Sequence, residues 1–252
     1  MPFGITSGKT SDDCRKRSAV TASHPLDNPV RSSLAGPHAR FAERRGNVLR
    51  YPVDVSPFLA LPDRPDAADW ADAAALAGPG ALVALAGVRV PAPDGWQVTL
   101  IGEGVQLVEV EVEVEVAADG EAVRLGPGDV PEMLELAGRT KPGPFLPRTV
   151  ELGSYLGIRR GGALVAMAGE RLHPPGWTEI SAVCTDDAWR GLGFASRLVR
   201  ALVAGIRARG ETAFLHAVAD NPAIGLYEAL GFRLRRGTVF SAARAPADHP
   251  VA

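Results

Sequence analysis

Hydrophobic positions follow two different periods along the second half of the chain. Apolar residues recur every three or four positions from Phe194 to Ile206, which predicts an amphipathic helix with one face on a sheet. Further helices are predicted over 128–140 and after Asn221. Short runs rich in branched and aromatic residues predict strands at 121–125, 155–160, 163–172, 177–185, 213–218 and 232–243. The pattern indicates an α/β (α+β) fold with a mixed central sheet and flanking helices.

The first half of the chain has weaker periodicity. Helical stretches over 24–45 precede an extended run over 47–61 and an Ala-rich helix over 66–78. Residues 80–96 resemble residues 162–177, since each segment reads as a strand that contains GALVA, a Pro-rich turn and a Trp that starts another strand. Chance similarity in an Ala-rich chain is one explanation, and an internal duplication is the other. We predict a flexible tail over 1–23, a degenerate half over 24–118 and an intact domain over 119–252.

Residues 107–116 read LVEVEVEVEV, which alternates strictly between apolar and acidic positions. Successive side chains of a strand point to opposite faces, so the valines are expected to face a core. Glu109, Glu111, Glu113 and Glu115 are then expected to lie on a solvated face.

Composition excludes several classes of function. The chain has 252 residues, of which 27 are basic and 29 acidic, so its net charge is −2. No bulk field would attract it to nucleic acid or to a membrane surface. Two cysteines make no disulfide framework, and no spacing suggests a metal site. Without an apolar run of transmembrane length or a signal peptide, we expect a cytoplasmic protein.

Residues 189–196, WRGLGFAS, form a Gly-rich entry into the helix predicted from Phe194. The first turn of a helix has unpaired N–H groups and the positive end of the dipole, so such entries often bind phosphate. The spacing of a dinucleotide-binding turn would need glycine where Ser196 stands. Alternatively, the glycines only allow the helix to pack tightly on a strand.

Two ordered motifs carry a family resemblance. Residues 190–195 read Arg-x-x-Gly-x-Ala between a strand and a helix, and residues 221–232 read NPAIGLYEALGF. Here the sequence resembles the GCN5-related N-acetyltransferases (GNAT family), and through residues 140–172 its FR47-like group. The second motif departs from the family where Ala223 and Ile224 shift the small residue by one position. The resemblance covers about residues 121–240 and implies the GNAT fold there, with 24–118 as a GNAT-like copy.

The resemblance implies that acetyl-CoA is the co-substrate and that the Gly-rich turn receives its pyrophosphate. Side chains in the turn would block the phosphates, and Gly193 matters most. The preceding strand end would pair its backbone with the pantetheine arm. The cofactor-binding residues implied are Val183, Cys184, Thr185, Arg190, Gly191, Leu192, Gly193, Phe194, Ala195, Ser196 and Asn221.

Acetyl transfer to an amine needs an acid for the leaving thiolate and a base for the amine. Tyr227 matches the family's general acid, although its apolar neighbours would equally suit a core tyrosine. Glu179 lies on the strand over 177–185, where partial burial would raise the pKa of its carboxyl and suit it to be the base. Glu170 and water are the alternatives as base, and an ordinary surface role for Glu179 also stays open.

Three other polar residues near these motifs have structural interpretations. Asn221 followed by Pro222 is a good helix N-cap, and capping is as good an explanation as cofactor binding. Cys184 is interpreted as a small buried thiol rather than an acyl carrier, since no histidine has a partner role. His216 is interpreted as a hydrogen-bonded core residue.

The sequence thus predicts an N-acetyltransferase that moves an acetyl group from acetyl-CoA to a primary amine by direct attack in a ternary complex. The acceptor is expected to be a small molecule or a peptide. The rival hypothesis is a non-catalytic acyl-CoA-binding or scaffold protein, in which Tyr227 and Glu179 are structural. No motif indicates which acceptor is used or whether the protein is a monomer or a homodimer.

Overall fold

A computed structural model describes residues 24–86, 91–110 and 120–247 of the chain. The predicted tail over 1–23 lies outside the described residues. So do Glu111, Glu113 and Glu115 of the alternating run and the predicted boundary between residues 118 and 119.

The first described residues form a small layer of short elements. Helix α1 (Pro29–Leu34) begins at Asn28, whose side chain accepts the N–H of Arg31. Strands β1 (Glu43–Arg45), β2 (Val48–Arg50) and β3 (Leu59–Ala60) form an antiparallel sheet. Helix α2 (Ala67–Ala77) begins at a capping box, in which the side chains of Asp66 and Asp69 each accept the other's backbone N–H. The Ala-rich helix is thus confirmed.

Eight strands form the main sheet. Their bounds are β4 (Leu82–Ala86), β5 (Gln97–Glu109), β6 (Val123–Leu125), β7 (Tyr155–Arg160), β8 (Ala163–Glu170), β9 (Trp177–Thr185), β10 (Thr212–Val218) and β11 (Phe232–Arg244). The strand order is β4-β11-β5-β10-β9-β8-β7-β6. Only β9 and β10 run parallel among these neighbours. The predicted mixed sheet is confirmed, and β7 and β9 have the predicted bounds.

Three helices flank this sheet, namely α3 (Val130–Thr140), α4 (Phe194–Ala208) and α5 (Ile224–Ala229). Helix α4 packs on β8, β9 and β10. Its apolar stripe, which includes Leu198, Leu202 and Ile206, is buried in the largest core cluster. Each such side chain contributes about 1.5–3 kcal/mol by its burial. The stripe therefore fixes the N-terminus of α4 beside the end of β9.

Strands from both predicted halves share the main sheet. β5 lies between β11 and β10, and β4 pairs with the opposite edge of β11. The two look-alike segments are therefore placed differently. β8 and β9 are direct neighbours, whereas β11 separates β4 from β5. The division into 24–118 and 119–252 stays a prediction.

Glu109 does not lie on a solvated face, and that expectation is wrong. Only 8% of the residue is exposed. Its carboxylate accepts the backbone N–H of Ala213 and pairs with Arg207 from the last part of α4. The alternation predicted two faces correctly, but helix α4 covers the face on which Glu109 lies.

Candidate active site

The parallel strands β9 and β10 pair over only three residues and then separate. Their pairing runs from Trp177 opposite Thr212 to Glu179 opposite Phe214. Beyond this point, residues 180–185 of β9 and 215–218 of β10 line two cavities. The split leaves one edge of β9 without a strand partner in the described part of the chain.

A bulge in β9 accompanies the split. Ser181 pairs with Gly169 of β8 and Cys184 pairs with Met167, so two residues of β9 oppose the single Ala168 between them. One of the two, Ala182, has a φ of 52°, a left-handed conformation that costs a residue other than glycine about 1–3 kcal/mol. The bulge bends β9 away from β10.

The first cavity has a volume of about 690 Å³ and extends from the split to the N-terminus of α4. The loop after α3 forms part of its wall through Lys141 and Pro142. Its other lining residues are Thr140, Val183, Cys184, Thr185, Trp189, Arg190, Gly191, Gly193, Phe194, Ala195, Asn221, Pro222, Ala223, Leu226 and Tyr227.

The glycines of the turn before α4 have a conformational function. Gly191 has a φ of 81° and Gly193 a φ of 75°, values that L side chains rarely adopt. No described atom lies within 4 Å of the position that a Cβ would take at either residue. Tight packing of the helix on a strand therefore does not explain these glycines, and that alternative is wrong.

The turn presents a row of unpaired donors. Within the described ranges, none of the backbone N–H groups of residues 191–196 donates to another backbone group. Gly193 is the N-cap of α4 and no side chain caps it. Arg190 adds a positive charge, held 2.7 Å from Asp187 at the surface. Unpaired N–H groups, the helix dipole and a cation together make a site that suits phosphate.

Nine of the eleven predicted cofactor-binding residues line the first cavity. The two exceptions are Leu192, which is 57% exposed, and Ser196. Their backbone N–H groups still belong to the row of unpaired donors, so only their side chains are excluded from the cavity.

Tyr227 lies where the first cavity meets the second. It lines both, yet only 7% of the residue is exposed, and its ring packs edge-to-face on Phe232. Burial, and then the neighbouring Cys184, raise the pKa of Tyr227 to about 12. Burial likewise raises the pKa of Cys184 to about 11, so its thiol stays protonated at neutral pH. An unreactive buried thiol is what the sequence indicated for Cys184.

Asn221 lines both cavities as well and shapes the turn before α5. Its Oδ1 accepts the N–H of Ala223 at 2.8 Å. The N-cap of α5 is Ala223, not Asn221 as predicted, because the helix begins at Ile224. Asn221 thus caps the preceding turn while facing the cavities.

The second cavity has a volume of about 390 Å³ and is built from both halves of the chain. It shares five residues with the first cavity: Lys141, Pro142, Val183, Asn221 and Tyr227. Its other lining residues are Phe58, Ala84, Leu85, Ile101, Gly143, Pro144, Arg171, Ile180, Ser181, Ala182, Leu215, His216, Ala217, Val218, Phe240 and Ser241.

Glu179 is buried behind this wall and does not line either cavity. Its exposure is 0%, and its carboxylate accepts two hydrogen bonds from Arg171, at 2.7 and 2.9 Å, and one from His216 at 2.7 Å. Burial would raise the pKa of Glu179, but the charge and hydrogen bonds of Arg171, assisted by His216, lower it to about 2. The expected raised pKa is therefore wrong, because sequence alone gave Glu179 no partner.

The other candidate base is also held in a network. Glu170 is buried and accepts hydrogen bonds from Arg209 and from the backbone of Ser154. It is absent from the described lining of both cavities. His216 does line the second cavity, but Nδ1 contacts Glu179 and Nε2 contacts the amide nitrogen of Gln106 at 3.0 Å. The prediction of a hydrogen-bonded core histidine is confirmed.

Two residues at the site were missed by the sequence analysis. Arg171 lines the second cavity and pairs with Glu179. The backbone pairing of β8 with β9 continues past Glu170, which places Arg171 opposite Glu179. Aligning residues 163–172 with 177–185 as a hairpin would have brought the two charges together. Lys141 is the C-cap of α3 and has a left-handed backbone conformation. A lysine in the sequence does not indicate such a conformation.

In the described part of the chain, no three His, Cys, Asp or Glu side chains come together as a metal site. Within the same ranges, none of the helices has the length and apolar character needed to cross a bilayer.

Comparisons with known proteins agree with this geometry. Residues 155–241 match the family model described as FR47-like protein. Over 83 residues, or 31% of this chain, the sequence is 40% identical to the N-alpha-acetyltransferase RimI of Mycobacterium tuberculosis. The match spans 51% of that relative, so the chain covers about half of its length.

Solved structures extend the similarity over most of the chain. A GNAT-family protein from Novosphingobium aromaticivorans is 38% identical, with a TM-score of 0.79, and the match covers 90% of this chain and all of that one. A GCN5-related N-acetyltransferase from Kribbella flavida, 18% identical with a TM-score of 0.58, shares the fold over 90% of this chain and 98% of its own. The chain belongs to the GNAT family of N-acetyltransferases, and its residues 155–241 form an FR47-like domain.

Proposed function

We propose that this protein transfers the acetyl group of acetyl-CoA to a primary amine by direct attack within a ternary complex. The observation that carries the proposal is the meeting of two cavities at Tyr227. One cavity leads to the phosphate-binding turn, and the other is a separate chamber for an acceptor. Two reactants held on opposite sides of one side chain can react without a covalent enzyme intermediate.

The first cavity fits coenzyme A. The N–H groups of residues 191–196 would receive the pyrophosphate, because they are unpaired and lie at the positive end of α4. The free edge of β9 from Val183 to Thr185 would pair with the amide groups of the pantetheine arm, as an added strand would. The bound thioester supplies the activated acetyl group. A backbone N–H at the bulge can polarise its carbonyl.

Tyr227 is proposed as the proton donor to the leaving sulfur. Its raised pKa keeps the hydroxyl protonated at neutral pH, so it can donate a hydrogen bond and then a proton as the C–S bond breaks. Its packing against Phe232 fixes the ring, which limits the hydroxyl to one position.

Water is proposed to remove the amine proton. Neither Glu179 nor Glu170 lines a cavity. Both ring nitrogens of His216 already lie within hydrogen-bond distance of a partner, Nδ1 of Glu179 and Nε2 of Gln106, so neither is open to the amine. The second cavity therefore positions the amine, and the amine proton passes to solvent.

Thiol release from acetyl-CoA, followed with a panel of primary amines, tests the proposal against mere acyl-CoA binding. We expect amine-dependent thiol release and an acetylated product in the mass spectrum. The relative from Mycobacterium tuberculosis is named as an N-alpha-acetyltransferase, which supports giving α-amines a place in the panel. If acetyl-CoA binds but no amine accelerates thiol release, the protein is a binding module.

A further inference from the structure

The charged side chains among the described residues of the second cavity are all basic. Of the described residues that line it, two are cationic, Lys141 and Arg171, and none is Asp or Glu. Glu179 lies behind the wall and balances Arg171, so among the described residues the unbalanced charge is that of Lys141, which is exposed and lines both cavities. A second cationic group on the acceptor would find no described carboxylate in the lining to pair with.

Arg171 has one nitrogen, Nη1, that makes no hydrogen bond within the described part of the chain. Its Nε and Nη2 bind the carboxylate of Glu179, and no described group accepts a hydrogen bond from Nη1. The guanidinium carbon lies 5.2 Å from the ring centroid of Phe58, which also lines the cavity. The Arg171 side chain as a whole is 11% exposed, so its guanidinium is nearly buried at the cavity wall. Charge-assisted hydrogen bonds from arginine favour a carboxylate.

Much of the remaining wall is apolar. Phe58, Leu85 and Ile101 from the first half line it together with Ile180, Leu215 and Phe240 from the second. The volume of about 390 Å³ is at the lower end of the range for small-molecule pockets, about 300–1,000 Å³. Such a site fits a small molecule with an apolar body.

Together these observations define one acceptor class. Resting on the function proposed above, we infer that the second cavity takes a free α-amino acid with an apolar side chain. Its carboxylate binds Nη1 of Arg171, its side chain contacts the apolar wall, and its amine lies beside Tyr227 at the junction of the cavities.

Initial rates with acetyl-CoA and matched amines test this inference. The set is L-leucine, L-leucinamide, isopentylamine, cadaverine and a peptide with N-terminal leucine. Leucinamide has the more acidic ammonium group, so at pH 7.5 it has more free amine than leucine, and chemistry alone favours the amide. We expect leucine to exceed leucinamide in kcat/KM by at least about tenfold, since the amide loses a charge-assisted hydrogen bond. Cadaverine should react least.

Ser241 allows the charge of the cavity to be changed without touching the Arg171–Glu179 pair. It lies on β11, lines the second cavity and is outside the first. Ser241→Asp should lower kcat/KM for leucine about tenfold or more and raise it for cadaverine. Ser241→Asn introduces a side chain of the same size as aspartate but without its charge, so this variant should keep the preference for leucine over cadaverine. Thermal melting of both variants checks that they are folded.

A double variant tests Arg171 itself. Arg171→Met with Glu179→Gln removes both charges, so no unpaired buried ion is left. The ratio of kcat/KM for leucine to that for leucinamide should fall to about one, while acetyl-CoA affinity by calorimetry stays the same. If the double variant does not fold, the Ser241 pair decides.

The outcomes separate this inference from the proposed function. Equal kcat/KM for leucine and leucinamide, or a preference for cadaverine or the peptide, overturns the inference while acetyl transfer stands. If the enzyme–CoA complex binds leucine in calorimetry but acetylates no amine in the set, the proposed function fails and the amino acid site stands. If leucine neither binds nor reacts, the inference fails.

Discussion

Gly193→Val tests whether the turn before α4 binds the cofactor. Gly193 has a left-handed backbone, and the space beside its Cα opens into the first cavity. A Cβ at this position would meet no described atom beyond its chain neighbours, and a branched side chain would occupy the path proposed for the pyrophosphate. The left-handed conformation costs about 1–2 kcal/mol for a side chain, which for a chain of this size lowers Tm by roughly 2–8 °C.

The effect on binding can be estimated from the row of donors. A hydrogen bond to a charged group contributes about 1.5–3 kcal/mol. Loss of a single phosphate contact from residues 191–196 thus weakens binding by at least about tenfold, since tenfold corresponds to about 1.4 kcal/mol. Isothermal calorimetry with CoA measures this difference directly.

Gly210→Val is the matched control. Gly210 follows the opposite end of α4, has the same φ of 75°, and also has no described atom within 4 Å of its Cβ position. It lines neither cavity. Both variants should lose similar Tm, and only Gly193→Val should lose CoA affinity. If the two variants bind CoA equally well, the turn does not bind the pyrophosphate.

Three further variants test other parts of the site. Tyr227→Phe keeps the packing on Phe232 but removes the hydroxyl proton, so single-turnover acetyl transfer should fall by roughly 10²-fold while CoA affinity is unchanged; equal rates would make Tyr227 a core residue only. Glu179→Gln should lower the free energy of unfolding at pH 7 by about 3–5 kcal/mol, because Arg171 becomes an unpaired buried charge. Because the pKa of Glu179 is lowered, its ionised carboxylate stabilises the fold above about pH 4.5, and this stabilisation is lost as the pH falls towards about 2. Chemical denaturation over that pH interval should therefore show a smaller loss of stability for Glu179→Gln than for the parent. Deleting residues 24–120 removes β5 from between β10 and β11 and should give an insoluble fragment, whereas a soluble, active fragment would show that the main sheet forms without it.

Local patterns predicted most elements but not their long-range partners. β7 is followed by Gly161 and β9 begins directly after Gly176, and these turn residues mark bounds that agree with the prediction. A strand was predicted to start at Trp96 and another to run over 107–116, whereas β5 is one continuous strand from Gln97 to Glu109, and 111–116 lie outside the described residues. Its place between β10 and β11 depends on contacts with residues more than 100 positions away, and periodicity contains no information about them.

The candidate site likewise has a local part that the sequence predicts and a long-range part that it does not. The phosphate-binding turn is local, since its chemistry depends on consecutive N–H groups and on glycines that the sequence displays. The buried network around Glu179 depends on Arg171 from β8, His216 from β10 and Gln106 from β5. A carboxylate on a strand predicts neither its burial nor its partners. Ala182 shows the same limit, because alanine gives no signal for a left-handed residue in a bulge.

On the proposed function, the FR47-like domain is not the whole functional unit, because the second cavity extends beyond it. That domain spans residues 155–241 and includes the turn, Tyr227 and both split strands. Phe58, Ala84, Leu85 and Ile101 precede it, and all four line the second cavity but not the first. Phe58 forms a bridge with Ala84, which ties the small layer to the main sheet beside the cavity. On the proposed function, residues 155–241 supply most of the lining of the cofactor cavity, together with Thr140, Lys141 and Pro142, and the part of the chain before the matched domain completes the wall that an acceptor would meet.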